Sequence, residues 1–269
     1  MDMKCNPGFY VEEMIIERFV NFWRQYWIHR YCPVCCCKVD MFRPLADEYA
    51  SNARKYGYQY FGQGETINVH EYSCPNCGAS DRERLYALYL KRNDSKETGA
   101  RPKLLHIAPE PALRDYIQRQ GIFDYRTADS TMEDVDDQID LTCMHQYQDG
   151  VYDCFICSHV LEHVADDGLA IAELFRILKP GGWGILMAPV NVHLAATVED
   201  PSVTDEAERW RLFGQGDHVR LYAKHDFIER IRAPGFLVEQ LDASFFGIRT
   251  FARTGITRKS VLYIVRKPL

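Results

Sequence analysis

The sequence lacks any run of 18 consecutive apolar residues, which is about the minimum length for a membrane-spanning helix. Its first residues, 1–7, also lack the basic start and apolar run of a secretory signal peptide. We therefore expect a cytoplasmic protein that does not bind membranes. An excess of positive charge is missing as well, because the formal net charge is -6. This excludes a chain that binds nucleic acid through its overall charge.

What the sequence does have is an ordinary globular composition with unusually placed cysteines. Apolar residues make up 46% of the 269 residues, enough to form the core of one or two domains. Seven of the ten cysteines fall within the first 77 residues. In a reducing compartment such clusters bind metal more often than they form disulfides.

Two CxxC pairs separated by 38 residues predict a metal site. Each pair can curl into a knuckle, and two knuckles place four thiolates around one tetrahedral zinc ion. A closed site of this kind is structural, since no coordination position remains open. Cys36 and Cys37 compete with Cys35 as ligands, but the CxxC spacing favours Cys35. The predicted ligands are Cys32, Cys35, Cys74 and Cys77.

A third CxxC, formed by Cys154 and Cys157, lies inside an apolar strand pattern. Side chains three residues apart on a strand point to opposite faces, so these thiols cannot bind one ion together. We expect both to be buried in the core as small hydrophobic residues.

The chain divides into three predicted regions. Residues 1–31 contain an aromatic amphipathic helix, beginning near residue 9, that could cover the substrate site, form an oligomer contact or pack on the rest of the chain. Residues 32–90 form the zinc-ribbon module. From 101 to 269, strands alternate with helices, which predicts an α/β, doubly wound parallel sheet. An insertion follows the fifth strand at about 191–222.

The last region contains most of the predicted strands and helices. Strands are predicted at about 103–108, 125–128, 152–158, 183–189, 237–241 and 260–265, with a further short strand ending near residue 140. Helices are predicted at about 110–120, 166–178 and 224–231.

Two stretches of this region resemble a known family. Residues 151–164 read VYDCFICSHVLEHV, and residues 173–183 read ELFRILKPGGW. In combination they resemble the class I S-adenosylmethionine-dependent methyltransferases, and among these the methyltransferase type 11 group. The CxxC pairs with RERLY at 82–86 resemble a zinc-ribbon prefix found on a bacterial subgroup. The resemblance implies a Rossmann-like seven-stranded sheet with the last strand antiparallel, and S-adenosylmethionine lying across the carboxyl ends of the strands.

The resemblance also assigns cofactor contacts to the turn after the first strand. This turn reads HIAPEP at 106–111 and has no glycine, although the family usually has a glycine-rich turn there. The small side chain of Ala108 would let the cofactor approach the backbone, and the resembled subgroup uses such an HxAPE turn. The predicted contacts in the turn are His106, Ala108 and Glu110.

Later strand ends supply the other predicted contacts. Asp129 is expected to accept hydrogen bonds from both ribose hydroxyls, as in dinucleotide-binding folds. Asp140 matches the family's acidic position near the adenine amino group, with Leu141 flanking the ring. Ser158 and His159 are expected to line the methionine end. The alternative for each carboxylate is an ordinary solvated residue at a strand end.

His159 to His163 also reads HxxEH, the inverted zinc-protease motif. That motif belongs on a helix, whereas here a strand precedes it and a Lys-Pro-Gly-Gly unit follows. We therefore interpret His163 as a packing or loop-fixing residue and expect no protease.

The insertion is expected to carry the acceptor, because loops between late strands bind substrates in doubly wound enzymes. Methyl transfer requires mainly that nucleophile, methyl carbon and sulfur are aligned. A hydroxyl acceptor would also need a base, for which His218 is the first candidate, with Asp217 as its partner. His193 is the second candidate. An amine or thiolate acceptor needs neither, and the polar residues of the loop could instead only satisfy each other.

The predicted function is O- or N-methylation of a small molecule or saccharide, with the ribbon as a rigid substrate-side or homo-oligomer-forming accessory. The alternative is an RNA- or protein-modifying methyltransferase that docks through the ribbon. A modest basic cluster favours that alternative, but residues 1–100 hold 13 basic and 13 acidic residues, so a phosphate-binding excess is missing. A non-catalytic binding protein is the third hypothesis. The basic cluster consists of Arg82, Arg84, Lys91 and Arg92.

Overall fold

The computed structural model describes residues 29–92 and 100–269. The predicted leading helix therefore lies outside the described residues, except at its end, where Arg30 and Tyr31 belong to a strand instead of a helix. In the described ranges, no helix is long and apolar enough to cross a membrane.

The strands and helices are numbered in chain order. The strands are β1 (Arg30–Cys32), β2 (Cys37–Val39), β3 (Lys103–Ile107), β4 (Asp124–Asp129), β5 (Asp137–Gln138), β6 (Tyr152–Ser158), β7 (Leu178–Met187), β8 (Val190–Asn191), β9 (Val198–Glu199), β10 (Arg220–Ala223), β11 (Leu237–Leu241) and β12 (Leu262–Arg266). The helices are α1 (Asp47–Tyr56), α2 (Asp81–Arg92), α3 (Pro111–Gln120), α4 (Asp167–Ile177), α5 (Glu206–Phe213), α6 (Lys224–Arg232), α7 (Ala243–Phe246) and α8 (Ile248–Arg253).

Seven strands form the main sheet in the order β11-β12-β7-β6-β3-β4-β5. The last strand, β12, is antiparallel to both of its neighbours, and the other pairs are parallel. The predicted doubly wound, Rossmann-like sheet is therefore confirmed. Because the strands β3 to β7 run in one direction, their carboxyl ends meet at one side of the sheet, which we call the carboxyl edge.

The centre of the sheet is covered on both faces. Cys154 and Cys157 on β6 are both fully buried, which confirms their predicted place in the core. A strand covered on both faces reads as a continuous apolar run, as β6 does.

Local signals explain the helices of this region. Pro111 occupies the first turn of α3, where its missing N–H costs nothing, and Gly121 ends the helix with a left-handed φ of 64°. The Asp166 side chain caps α4 by accepting a hydrogen bond from the Leu169 amide.

The strand after α4 differs from its predicted bounds. It begins at Leu178 instead of Trp183, because Leu178 already pairs with Tyr152. The next pair joins Trp183 to Cys154, so the residues between them bulge out of the ladder. The Lys-Pro-Gly-Gly unit is therefore a bulge at the start of β7 and not only the end of a helix.

Helix α2 joins the cysteine-bounded module to the sheet. The Tyr86 hydroxyl lies 2.9 Å from Ser158 Oγ at the end of β6, and the Tyr89 ring meets the Trp183 ring edge-on at 5.3 Å. The buried Arg84 guanidinium donates hydrogen bonds to backbone carbonyls on both sides, including those of Tyr72 and Thr254. The proposed boundary between the two regions stays a prediction, but their buried residues form one continuous cluster.

The predicted insertion has its own small sheet, in the order β8-β10-β9. It packs against the segment between the two CxxC pairs, where the Tyr56 and Trp210 rings stack at 5.8 Å. Gly214 allows this contact, because it has a φ of 88° and a Cβ there would lie 2.6 Å from the Tyr58 ring. The insertion and the cysteine-bounded module thus enclose one cleft at the carboxyl edge.

Candidate active site at the carboxyl edge

A cleft of about 390 Å³ opens where these three parts meet. Its size falls within the usual range for small-molecule sites. The cysteine-bounded module supplies a group of aromatic side chains, which we call the aromatic wall, and all three parts supply polar groups. The aromatic wall consists of Tyr49, Tyr58, Tyr60, Phe61 and Tyr72.

The turn after β3 has a strained backbone and brings three ionisable side chains together. Ala108 has a φ of 50°, a left-handed conformation that residues with a Cβ rarely adopt. His106 is fully buried, with Nε2 3.1 Å from Glu110 Oε2 and Nδ1 2.9 Å from the Tyr125 hydroxyl. Glu110 Oε1 lacks a hydrogen-bond partner among the described residues, as does Arg82 Nε 3.8 Å away.

The charge of Glu110 is maintained by its neighbours. Burial raises the pKa of the Glu110 carboxyl, but His106 and Arg82 lower it by more, so that the net shift is downwards. The turn therefore presents an ionised carboxylate with one oxygen available at the carboxyl edge.

A second left-handed residue lies at the end of β6. His159 follows Ser158 with a φ of 56°, and its Nε2 is buried without a partner in the described chain. Ser158 itself is buried and held by Tyr86. The structure thus places Ala108 and His159 at the ends of two adjacent strands.

The other predicted cofactor residues continue along the same edge. Asp129 Oδ1 accepts hydrogen bonds from the Thr131 and Met132 amides at 2.7 and 2.8 Å, which leaves Oδ2 for a ligand. Asp140 is exposed and holds the Thr142 amide at 2.8 Å. Leu141 is buried beside it. The strands β5, β4, β3 and β6 are consecutive in the sheet, so the predicted contacts that follow them form a row along the carboxyl edge, from Asp140 after β5 to His159 after β6.

A second group of ionisable side chains lines the cleft. Ligand atoms of Glu162, His163 and His218 all lie within 4.8 Å of one another. Glu162 is fully buried and His218 is 3% exposed, whereas His163 is exposed at the cleft surface. The ring centroids of the two histidines are 4.7 Å apart. We call these three residues the Glu-His-His cluster.

The protonation states in this cluster differ from those of free side chains. Burial lowers the pKa of His218 to about 4, so that its imidazole is neutral at pH 7. Burial raises the pKa of the Glu162 carboxyl, but the His159 ring, whose Nδ1 lies 3.2 Å from Oε1, lowers that pKa by more. The cluster therefore places the Glu162 carboxylate beside the neutral imidazole of His218.

Arg220 holds the cluster together. Its guanidinium is buried and donates hydrogen bonds to the carbonyls of Leu161, Val164 and Ala165 in the loop after β6. The Val219 amide donates to the Glu162 carbonyl in the same loop, at 2.9 Å. These bonds fix the insertion against the loop, which is why residues far apart in the sequence meet.

The three predicted catalytic residues are not equivalent. His218 lines the cleft, as does Asp217, whose Oδ2 lies 3.3 Å from His163 Nδ1. Asp217 therefore pairs with His163 and not with His218 as predicted from sequence. His193 is exposed and lies outside the lining of the cleft. Asn191 lies there instead, buried, with its Nδ2 lacking a partner among the described residues.

The four predicted zinc ligands also lie together. The Sγ atoms of Cys32 and Cys77 are 3.7 Å apart, and those of Cys35 and Cys74 are 3.9 Å apart. Tetrahedral Zn–S bonds of about 2.3 Å place sulfurs about 3.8 Å apart, so the thiolates fit a zinc ion. Their four sulfurs lie within 4.8 Å of one another.

The family comparison decides the identity of this fold. The sequence model of a family described as a methyltransferase domain matches residues 74–241, more than half of the chain. The chain belongs to this methyltransferase family. The match begins inside the cysteine-bounded module and includes the HxAPE turn, the row of strand-end residues and the Glu-His-His cluster. The methyltransferase sheet topology is therefore shown together with the family.

Solved structures with similar folds are distant in sequence. The [4+2]-cyclase SpnF is 16% identical, with a TM-score of 0.46, covering 85% of this chain and 98% of the cyclase. The Bacillus halodurans C-125 protein BH2331 is 14% identical, with a TM-score of 0.42 and coverage of 69% and 99%. A chain from the Haloferax volcanii complex that contains the Trm112 methyltransferase activator is 17% identical, with a TM-score of 0.45 and coverage of 70% and 92%. No curated protein sequence matches the chain.

Sequence reasoning missed part of this methyltransferase's cleft. It set the HxxEH motif aside, although Glu162 and His163 form the cluster with His218. The available signal was the pairing of HxxEH with a downstream histidine in the insertion. The aromatic wall and Asn191 carried no comparable signal, because tyrosines and an asparagine in loops are common.

Proposed function

We propose that this protein is an S-adenosylmethionine-dependent methyltransferase that O-methylates a small molecule or saccharide. The observation that carries the proposal is the position of the cleft. It opens at the His159 end of the row of predicted cofactor residues and contains the Glu-His-His cluster. An acceptor bound in the cleft would therefore lie at the methionine end of the cofactor.

The residues of the carboxyl edge fit S-adenosylmethionine. The buried Glu110 Oε1 and His159 Nε2 lack partners among the described residues, and a polar ligand would supply them. The left-handed turn at Ala108 supports close approach of the ligand to the backbone. Asp129 has a carboxylate oxygen left for the ribose, which is the role proposed for it, and Asp140 with Leu141 would flank the adenine.

The protein's contribution to the reaction is orientation and proton removal. When bound, S-adenosylmethionine supplies a methyl group activated by its positive sulfur. The cleft aligns the acceptor oxygen with that methyl group, and the Glu-His-His cluster removes the hydroxyl proton. His218 is the proposed centre of this step because it lines the cleft, whereas His193 lies outside the cleft lining. The four cysteines hold a structural zinc that shapes the aromatic wall.

The aromatic wall favours a saccharide or similar small acceptor. Aromatic rings pack against the C–H faces of a sugar, while polar groups bind its hydroxyls. The RNA alternative is weakened because Arg84, a member of the basic cluster, is fully buried on backbone carbonyls. Arg92 stacks on the Phe245 ring, with its guanidinium 4.3 Å from the ring centroid.

The test has two steps. S-adenosylmethionine is titrated into the zinc-loaded protein by calorimetry, and the protein is then incubated with isotope-labelled cofactor and panels of sugars, nucleotide sugars, phenols and transfer RNA. We expect one cofactor per chain and label in a hydroxylated small molecule. Labelled RNA, or no cofactor binding, would overturn the proposal.

A further inference from the structure

The Glu-His-His cluster has the composition of a metal site. Two imidazoles and one carboxylate present their ligand atoms within 4.8 Å of one another. The same ligand types bind catalytic zinc and non-haem iron in sites that keep open positions. The cluster is separate from the four cysteines, whose closed thiolate set leaves no open position.

The buried members of the cluster make no side-chain hydrogen bond to the described residues. Both carboxylate oxygens of Glu162 and both ring nitrogens of His218 are buried without a hydrogen bond. His159 Nδ1 lies 3.2 Å from Glu162 Oε1, but not in a geometry that makes a hydrogen bond. A buried carboxylate without a partner is costly, because it has lost its water.

A second buried carboxylate in the same cleft, that of Glu65, is stabilised by partners on both of its oxygens. Glu65 accepts a hydrogen bond from Lys224 Nζ on one oxygen and from the Tyr263 hydroxyl on the other, each at 2.6 Å. Glu65 and Glu162 line the same cleft, yet only Glu65 has a cation and a donor supplied by the protein. A cation from outside the chain would give Glu162 the kind of partner that Lys224 gives Glu65.

We propose that the Glu-His-His cluster binds one divalent transition-metal ion, with Glu162, His163 and His218 as its ligands. Nitrogen and carboxylate donors suit Mn²⁺, Fe²⁺, Co²⁺ and Zn²⁺. The exposed His163 lies at the surface of the cleft, so the open positions of the ion face the acceptor. Asp217, 3.3 Å from His163, orients that ring from outside the ligand set.

The ion would deepen the proposed function, because it would let the Glu-His-His cluster promote loss of the hydroxyl proton without a free histidine base. Coordination by a divalent ion lowers the pKa of a bound hydroxyl. The acceptor O–H bond breaks and its proton passes to water in the cleft. The O–C bond then forms as the C–S bond of the sulfonium donor breaks, and sulfur keeps the electron pair. This role rests on the proposed function, but binding of the ion does not.

The experiment measures the ion directly and needs no acceptor. Protein that carries one zinc per chain, counted by mass spectrometry, is titrated with MnCl₂ by calorimetry, so that zinc occupies the four thiolates and the Glu-His-His cluster is free. Bound Mn²⁺ is counted from its paramagnetic resonance spectrum. Mn²⁺ does not displace zinc from thiolates, because it binds such sites far more weakly. We expect one saturable Mn²⁺ per chain, with affinity at least tenfold lower in Glu162→Gln and in His163→Ala.

The matched control is His225→Ala, which removes an exposed histidine 3.6 Å from Asp226 on the surface of α6. It should bind Mn²⁺ like the unaltered protein. Because His163 is exposed, its variant should fold even if Glu162→Gln does not. No saturable site, or unchanged affinity in His163→Ala, would overturn the inference. Titration with S-adenosylmethionine on the same samples reports separately on the proposed function.

Discussion

Ala108 and His159 adopt left-handed backbone conformations at the ends of adjacent strands, with φ values of 50° and 56°. Both residues carry a Cβ, which makes this conformation unfavourable by about 1–2 kcal/mol each. Such strain persists where the surrounding structure enforces it, and it clusters at ligand sites. The pair thus marks the part of the carboxyl edge where we propose that the cofactor approaches the backbone.

Substitution at Ala108 tests that interpretation. Ala108→Gly should retain cofactor binding and change the free energy of unfolding by less than about 1 kcal/mol, since relief of strain offsets the greater entropy of glycine. Ala108→Val should weaken cofactor binding at least tenfold, because a branched side chain is disfavoured there and occupies the approach. Calorimetric titration measures both, and equal affinities for the two variants would refute the proposed approach.

The proposed ribose contact is tested at Asp129. Asp129→Asn should weaken S-adenosylmethionine binding by about 1.5–3 kcal/mol, the usual range for hydrogen bonds to a charged group. The matched control is Asp242→Asn. Asp242 follows β11, the edge strand at the opposite end of the strand order from β5, and its carboxylate accepts a hydrogen bond from the Ser244 amide at 2.8 Å, as Asp129 does from Thr131. The control should bind normally, and an equal loss in both variants would argue against a ribose contact.

Single substitutions should distinguish the cysteines that bind zinc from the neighbouring cysteines that do not. Cys74→Ser should abolish stoichiometric zinc and lower the melting temperature, because binding of a structural ion contributes folding free energy. Cys37→Ser should keep one zinc per chain, since Cys37 is exposed and its thiol contacts only the Cys35 carbonyl among the described residues. Zinc content from mass spectrometry decides the matter. Loss of zinc from the Cys37 variant would contradict the assigned ligands.

Arg220 should position the Glu-His-His cluster. Arg220→Lys removes most of the bonds to the loop after β6, and we expect it to lower the free energy of unfolding by about 2–4 kcal/mol, as for other buried charge networks. Arg211→Lys, at an exposed pair with Glu208, is the control and should cost less than about 1 kcal/mol. Chemical denaturation measures both. Similar losses would contradict the assigned role of Arg220.

The strands and helices of the sheet region can be predicted from sequence because the signals that specify them lie within a few residues of each element. The apolar run of β6, the cap at Asp166 and the stop at Gly121 each act within a few residues, so the amino-acid sequence alone indicates where these elements lie. The family resemblance supplies the antiparallel last strand, which no local pattern specifies. The predicted start of β7 is wrong because a bulge keeps Leu178 in the ladder.

The cleft is predicted only in part because it is assembled from distant segments. The sequence singles out His218 as a candidate base, and the structure places it in the lining of the cleft. Its neighbours there depend on Arg220 and Val219 binding the loop after β6. The predicted pairing of Asp217 with His218 is wrong for the same reason. The aromatic wall depends on how the segment between the CxxC pairs packs against the insertion.

Titration of S-adenosylmethionine into the zinc-loaded protein measures directly whether this chain binds the methyl donor. If the proposed function is right, we expect saturable binding of one cofactor per chain, weakened in both Ala108→Val and Asp129→Asn. A folded, zinc-loaded protein that binds no S-adenosylmethionine would contradict it.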